Sequence, residues 1–379
     1  MVNKRIAYCT PSLYIAGGIE RVLTTKMNYL ADVAGYDVWV ILTDGKGKKP
    51  YFPLSDKIHV VNLDINFEEL WHHGFVGKIP VYLKKQVSYR RKLKQALVKI
   101  KPDITVTTLR REINFITSLN DGSKKVGEMH INRSHYRNFE GNDSNAVKKV
   151  FAKVWMRNLL GKLKKLDRFV VLTDEDKNNW KELDNVVAIP NPLNVPPSIE
   201  STLHNKKVVA AGRYCHEKGF DLLLQAWAMV AKRHPDWKLE IYGGGNSDDY
   251  ARMAVECGVG DSASINPATN NIYEKFADAS IFVLSSRFEG FGLVLIEAMA
   301  TKLPVVSFAC PYGPRAIVSD GEDGILVDNG NVPLLAEKIC YLIEHEDERL
   351  RMGEKAKQKA SHYRVDNIMC RWIDLFDGL

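Results

Sequence analysis

Short apolar, β-branched runs alternate along the chain with longer stretches of helical periodicity. The runs in the first half fall at residues 5–9, 37–43, 58–63, 103–108, 125–129 and 168–173. They are of strand length. Amphipathic helices are predicted between several of them, at 18–32, 80–99 and 147–166. The second half repeats the scheme, with strands predicted at 207–211, 238–242, 263–266, 280–285, 304–308 and 324–327. Such alternation predicts parallel sheet with crossover helices. Ile189-Pro-Asn-Pro-Leu-Asn-Val-Pro-Pro-Ser198 carries four prolines in ten residues, which suits neither a helix nor a central strand. It reads as a stiff linker between two Rossmann-like domains, residues 1–190 and 191–361. Ile368, Trp372, Leu375 and Phe376 recur at helical spacing, so a terminal helix is expected within about 362–379, packing back on the first domain.

Composition narrows this picture. At 379 residues, 45% hydrophobic and 26% charged, the chain has ordinary globular content and room for two domains. No apolar run approaches the roughly 18 residues of a membrane span. The N-terminus runs straight into a strand, so no signal peptide is expected. Six scattered cysteines form no C-x-x-C or Cys/His cluster, which argues against a zinc site or a disulfide framework and for a reduced cytoplasm. The net charge of +7 conceals an asymmetry. Residues 1–170 hold 31 Lys+Arg against 15 Asp+Glu, net +16; residues 171–379 hold the remaining 22 and 31, net −9. A basic half suits a nucleic-acid binder, an anionic-membrane binder or an enzyme with an anionic substrate.

Ligands of open α/β sheets bind beyond the carboxyl ends of the strands, and three motifs sit in such loops. Ala16-Gly17-Gly18-Ile19-Glu20-Arg21 follows the first strand and opens a helix, where glycines allow close backbone approach and free N–H groups attract an anion. It lacks the full G-x-G-x-x-G of dinucleotide sites. Gly212-Arg213 through Lys218-Gly219 follows the first strand of the second domain, placing two cations before a helix, a diphosphate clamp. Ser286-Arg-Phe-Glu289-Gly290-Phe291-Gly292 leads into an apolar helix that contains Glu297. Gly290, Phe291 and Gly292 would present N–H groups to a phosphate. Glu297 either pairs with ligand hydroxyls or occupies a solvent-facing position.

These motifs, with Asn191-Pro192 at the linker and Asp320-Gly321-Glu-Asp-Gly324-Ile-Leu-Val327 near the end, run in order over nearly the whole chain. Together they resemble the retaining glycosyltransferases of family 4, of the bacterial surface-polysaccharide and lipopolysaccharide type. The resemblance implies the GT-B architecture, two Rossmann-like domains facing a central cleft, the second binding the donor and the first the acceptor. It implies that Arg213 and Lys218 hold the donor diphosphate beside Gly212. Glu297 would bind the ribose, and Glu289 the hydroxyls of the transferred sugar, assisted by amides at Phe291 and Gly292. Gly17 and Gly18 would approach the donor phosphate or the acceptor. His130, after the strand at 125–129, matches the family's N-domain histidine, with His135 a nearby rival.

No cofactor or metal is expected. Asp174-Glu-Asp176 has the Asp-x-Asp form of metal-dependent transferases, but it opens a helix after Thr173, where capping accounts for it. Cys310-Pro-Tyr-Gly-Pro-Arg-Ala316 resembles a loop of members that use UDP-sugars, with Ala316 where a Glu is usual, so no role of that Glu is carried over. A UDP-sugar donor and a glycan or lipid-linked acceptor are favoured. A GDP-mannose-dependent mannosyltransferase is the main alternative and a GT-B nucleotide-sugar epimerase the next. The basic helices around residues 89–94 and 147–165 suit either a solvated face or peripheral docking on anionic lipid at the inner face of the membrane. Under this resemblance nucleic acid is not an expected partner.

Overall fold

The computed structural model describes residues 4–72, 75–133, 146–194 and 199–379. The chain divides into two compact units, Met1–Pro192 with Val365–Leu379, and Leu193–Arg364. The division falls inside the proline-rich segment.

The first unit is built on a seven-stranded parallel sheet: β1 (Arg5–Thr10), β2 (Asp37–Leu42), β3 (His59–Asn62), β4 (Ile104–Thr107), β5 (Lys124–Glu128), β6 (Arg168–Val171) and β7 (Val186–Ala188), in the order β3-β2-β1-β4-β5-β6-β7. Its helices are α1 (Gly18–Asp32), α2 (Phe75–Ile100), α3 (Ala146–Leu163) and α4 (Asp174–Asn179). The second unit carries a six-stranded parallel sheet: β8 (Lys207–Ala211), β9 (Lys238–Gly243), β10 (Ala263–Pro267), β11 (Ile281–Leu284), β12 (Val305–Phe308) and β13 (Gly324–Val327), ordered β10-β9-β8-β11-β12-β13. Its helices are α5 (Phe220–Arg233), α6 (Asp248–Glu256), α7 (Ile272–Ala277), α8 (Leu293–Ala300), α9 (Pro314–Ile317), α10 (Val332–Glu344) and α11 (Glu346–Ser361). The last helix, α12 (Val365–Asp377), belongs to the first unit.

The strands are short and apolar because helices cover both faces; Ile281-Phe-Val-Leu284 is buried throughout. α1 buries Val22, Leu23, Met27 and Leu30 at helical spacing. α12 packs on it, and its Ile368, Met369, Trp372 and Phe376 enter the core of Ile6, Tyr8, Val38 and Val106. Each fully buried side chain of this size contributes about 1.5–3 kcal/mol.

Three expectations change. β7 is an additional strand, only three residues long. α2 begins at Phe75, so Pro80 lies inside it as the sixth residue, where its missing N–H forgoes one helical bond. On α3, the helix read as amphipathic over 147–166, Val154 faces solvent, and the side chains of Val147, Val150 and Phe151 fall outside the described residues.

In each sheet the strand order reverses once, between β1 and β4 and between β8 and β11. Connections leave in opposite directions on either side of such a point, which opens a crevice at the strand ends. The loops after β8 and β11 therefore lie side by side.

Candidate functional site

The loop after β8 runs through Gly212 and Arg213 to a single 3-10 turn, His216–Lys218, and then into α5. Gly219 caps α5 in the left-handed conformation, at φ 62°. A Cβ there would overlap the Ser285 carbonyl oxygen, so the loop after β11 sits directly on it. Arg287 stitches the two loops together. Its guanidinium grips Asp221 in a fork at 2.8 and 2.6 Å, Nη1 also donates to the His216 carbonyl, and its backbone N–H donates to the Glu217 carbonyl. These bonds hold the Asp221 carboxyl below its ordinary range. Ser285 Oγ donates to the Lys218 carbonyl at 3.0 Å.

This framework brings together residues 71 apart in sequence. Lys218 Nζ donates to Glu289 Oε1 at 2.6 Å, and Ser286 Oγ donates to the same oxygen at 2.7 Å. Glu289 is 8% exposed. The Lys218 stem crosses Gly212, where a Cβ would lie 3.1 Å from its Cδ and Cε. Lys218 is thus held by Glu289, while the Arg213 side chain is exposed. An ammonium has three donors, so this contact leaves capacity for a phosphate while the carboxylate still accepts from hydroxyls.

Gly290, Phe291 and Gly292 lead into α8, with Gly292 capping it at φ 88°. The Phe291 ring is buried edge-on against Tyr363, centroids 5.8 Å apart. Tyr312, at φ 77°, pairs its backbone with Glu289 and braces the loop from β12. Glu297 is 5% exposed within α8, so the solvent-facing reading is set aside. Ser286, Arg287 and Tyr312 were not singled out in the sequence. The first two flank the Glu289 motif, and their polar character directly after a buried strand is the signal that marks them.

In the first unit Gly17 caps α1 with extended backbone and Gly18 is the first helical residue. His130 follows β5 and lines a pocket with Ile19, Thr108, Arg110, Met129 and Ile131. Behind it lies a buried ion pair, Lys26 Nζ to Glu128 Oε1 at 2.6 Å, with both side chains at most 1% exposed. His130 Nε2 lies 3.2 Å from the same carboxylate oxygen. Burial pushes Glu128 up, but Lys26 and His130 more than reverse this and leave it at about 2. Burial lowers Lys26 to about 8 against the pull of Glu128. The Lys26 ammonium also sits 3.3 Å from the Trp372 ring centroid. This cluster too was missed, although Lys26 falls among Val22, Leu23, Met27 and Leu30 on the buried face of α1. His135 lies outside the described residues.

Thr173 Oγ1 accepts from the Asp176 N–H at 3.1 Å, and Asp176 Oδ1 accepts from the Arg133 N–H. The Asp-x-Asp segment is thereby engaged in capping α4 and fixing the Arg133 backbone.

Residues 196–359 match the family model described as glycosyl transferases group 1, a span that contains Arg213, Lys218, Glu289 and Glu297. An uncharacterized glycosyltransferase of Haemophilus influenzae is 30% identical over 97% of this chain and 99% of its own length. The poly(ribitol-phosphate) alpha-N-acetylglucosaminyltransferase of Staphylococcus aureus is 28% identical over 68% of this chain, which spans about half (51%) of that relative. A variant of S. aureus TarM, solved with fondaparinux, alpha-GlcNAc-glycerol and UDP, superposes with a TM-score of 0.76 at 18% identity, over 98% of this chain and 99% of that one. The two parallel, Rossmann-like sheets are those of the GT-B fold.

Proposed function

Because the chain belongs to the group 1 glycosyltransferases, we propose that it is a retaining, family 4 enzyme that transfers a hexose or N-acetylhexosamine from a UDP-sugar to a glycan or lipid-linked acceptor in surface-polymer synthesis. The observation that carries this is the Lys218–Glu289 pair at the β8/β11 switch point. Cleaving the anomeric C–O bond leaves negative charge on the departing nucleoside diphosphate. Lys218, Arg213 and the start of α8 at Gly292 stabilise that charge as it develops, beside a Gly212 small enough to admit the Lys218 stem. Glu289 accepts from hydroxyls of the sugar, with the backbone amides of Phe291 and Gly292 alongside, and Glu297 accepts from the ribose. Gly17 and Gly18 offer close backbone approach at the start of α1, and His130 presents an imidazole nitrogen to a substrate hydroxyl at its pocket.

The donor reading is supported by the UDP in the TarM variant complex and by the N-acetylglucosaminyl activity named for the S. aureus relative. A melting panel tests it. Saturation with one UDP-sugar at 100 times its Kd adds about 2.7 kcal/mol of stability, and GDP-mannose should add none. A shift with GDP-mannose alone would replace the donor. An isomerised nucleotide sugar formed without added acceptor and without net UDP release would indicate an epimerase. With the Lys218 and Arg213 cations facing the diphosphate and Asp176 engaged elsewhere, turnover should proceed unchanged in excess chelator. Loss in chelator with recovery on a divalent ion would overturn that.

A second reading concerns localisation. Among the described residues no helix is long and apolar enough to cross a membrane. α2 nevertheless exposes Ile79, Leu83 and Val87 at i, i+4, i+8, with exposed Lys84, Arg90, Arg91 and Lys94 on the same helix. Its opposite face, with Tyr89, Leu93 and Leu97, is buried in the core. An apolar stripe among cations suits peripheral docking on an anionic bilayer. Sedimentation with phosphatidylglycerol vesicles at low salt should bind the wild type and not Leu83→Asp/Val87→Asp. Equal binding of both would remove α2 from the contact.

A further inference from the structure

Four buried polar atoms of the first unit gather without an aligned hydrogen-bond partner: Tyr8 Oη, Glu128 Oε2, and both His130 ring nitrogens, Nδ1 and Nε2. The 3.2 Å approach of His130 Nε2 to Glu128 Oε1 is therefore a close contact that is not aligned as a directed bond. Buried polar groups in folded proteins are almost always paired, and exceptions concentrate where function needs them. His130 is 96% buried by side chain, given its 4% exposure, yet it forms part of a pocket wall.

We propose that Glu128 is a positioning residue for His130: it meets the imidazole at Nε2 and so sets how the ring is held at the pocket wall, and Lys26 anchors Glu128 in turn. The inference rests on the reading that His130 meets substrate.

The construction supports a role beyond packing. Taking Lys26 and Glu128 out of water is costly, and an apolar pair of similar volume would stabilise the same core at least as well. Lys26 is enclosed on α1 by Glu128 from β5, Tyr8 from β1 and Trp372 from α12. On the pocket side the charged group beside His130 is Arg110, in the turn after β4. Tyr8 feels the Glu128 charge and the burial together, both of which keep its phenol protonated. The carboxylate is thus confined to two partners, Lys26 and His130. A carboxylate oxygen held by a fixed cation constrains the ring that meets the same oxygen, as outer partners of ligand-bearing histidines do in metal sites.

The test uses the full chain with UDP-N-acetylglucosamine as donor and water as the acceptor, UDP release by this hydrolysis as the rate, and nitrogen-15 spectra of the histidine rings. Glu128→Gln should lower kcat by about 10- to 100-fold, the scale expected when a reacting group is misplaced, with the donor KM unchanged. The His130 nitrogen resonances should move and broaden as the ring is released. Lys26→Met/Glu128→Leu removes both charges and should regain the wild-type melting temperature while kcat and the His130 resonances stay altered. Recovery of kcat together with stability in that double variant would reduce the pair to a packing device and overturn the proposal. So would unaltered His130 resonances in Glu128→Gln, whatever the activity. His130→Ala with wild-type turnover would instead remove the His130 reading and the inference with it. A His130→Ala loss beside full turnover in the double variant would overturn the role of Glu128 alone.

Discussion

Lys218→Ala is expected to lower kcat/KM by about 10²–10³-fold while the protein stays folded. The ammonium is held 2.6 Å from Glu289 on a stem laid across Gly212, so its position is set before any ligand arrives. Preorganised charge of this kind costs no reorganisation as the diphosphate departs, which is why it acts on the transition state more than on donor binding. The fold should survive because Arg287, and not Lys218, stitches the two loops, and Ser286 continues to donate to Glu289. Lys218→Arg should not restore the rate: a guanidinium fork replaces a compact ammonium and cannot occupy the same point against Gly212. Steady-state kinetics beside a melting curve check this. Full turnover in Lys218→Ala would remove the site assignment made for the second unit, whatever becomes of His130.

Lys26→Met should destabilise the first unit by about 3–5 kcal/mol, because it leaves the Glu128 carboxylate buried without its lysine partner. For a unit of roughly 200 residues this corresponds to a fall in Tm of about 6–20 °C. The two charges also make stability depend on acid. Glu128 titrates near 2 in the folded chain against 4.5 ordinarily, so the unfolded chain takes up the proton first as pH falls. The Glu128 contribution is complete above about pH 4.5 and is lost as pH drops towards 2, while Lys26, lowered by burial to about 8, keeps the pair ionised only below that pH. Denaturant titrations between those limits should show a shallower pH dependence for Lys26→Met/Glu128→Leu than for the wild type. Identical slopes would mean that the pair is not the source.

Several features were legible along the chain because they are local. The bounds of α1, β8 and β13 match the periodicity residue for residue. Thr173 caps α4 as its type and position suggest. β7 was missed because three residues are too few to show a period, and the start of α2 was misplaced because Pro80 was taken as a boundary. Glu297 could be read two ways from spacing, since the helix it sits in is apolar nearly all round; only packing shows it buried.

The sequence by itself determined the alternating elements, the division at the prolines, and the loops in which the polar residues of the second unit lie. Which of those residues touch was decided by the tertiary structure. Lys218 meets Glu289 across 71 residues, and Lys26 meets Glu128 across 102. The reason is physical. In a parallel sheet, strands next to each other in space are joined by crossovers, and their order is chosen by how helices cover both faces. Periodicity records which face of an element is apolar, but not which strand end will be its neighbour, so the buried lysine on α1 becomes visible only when β5 is set beneath it.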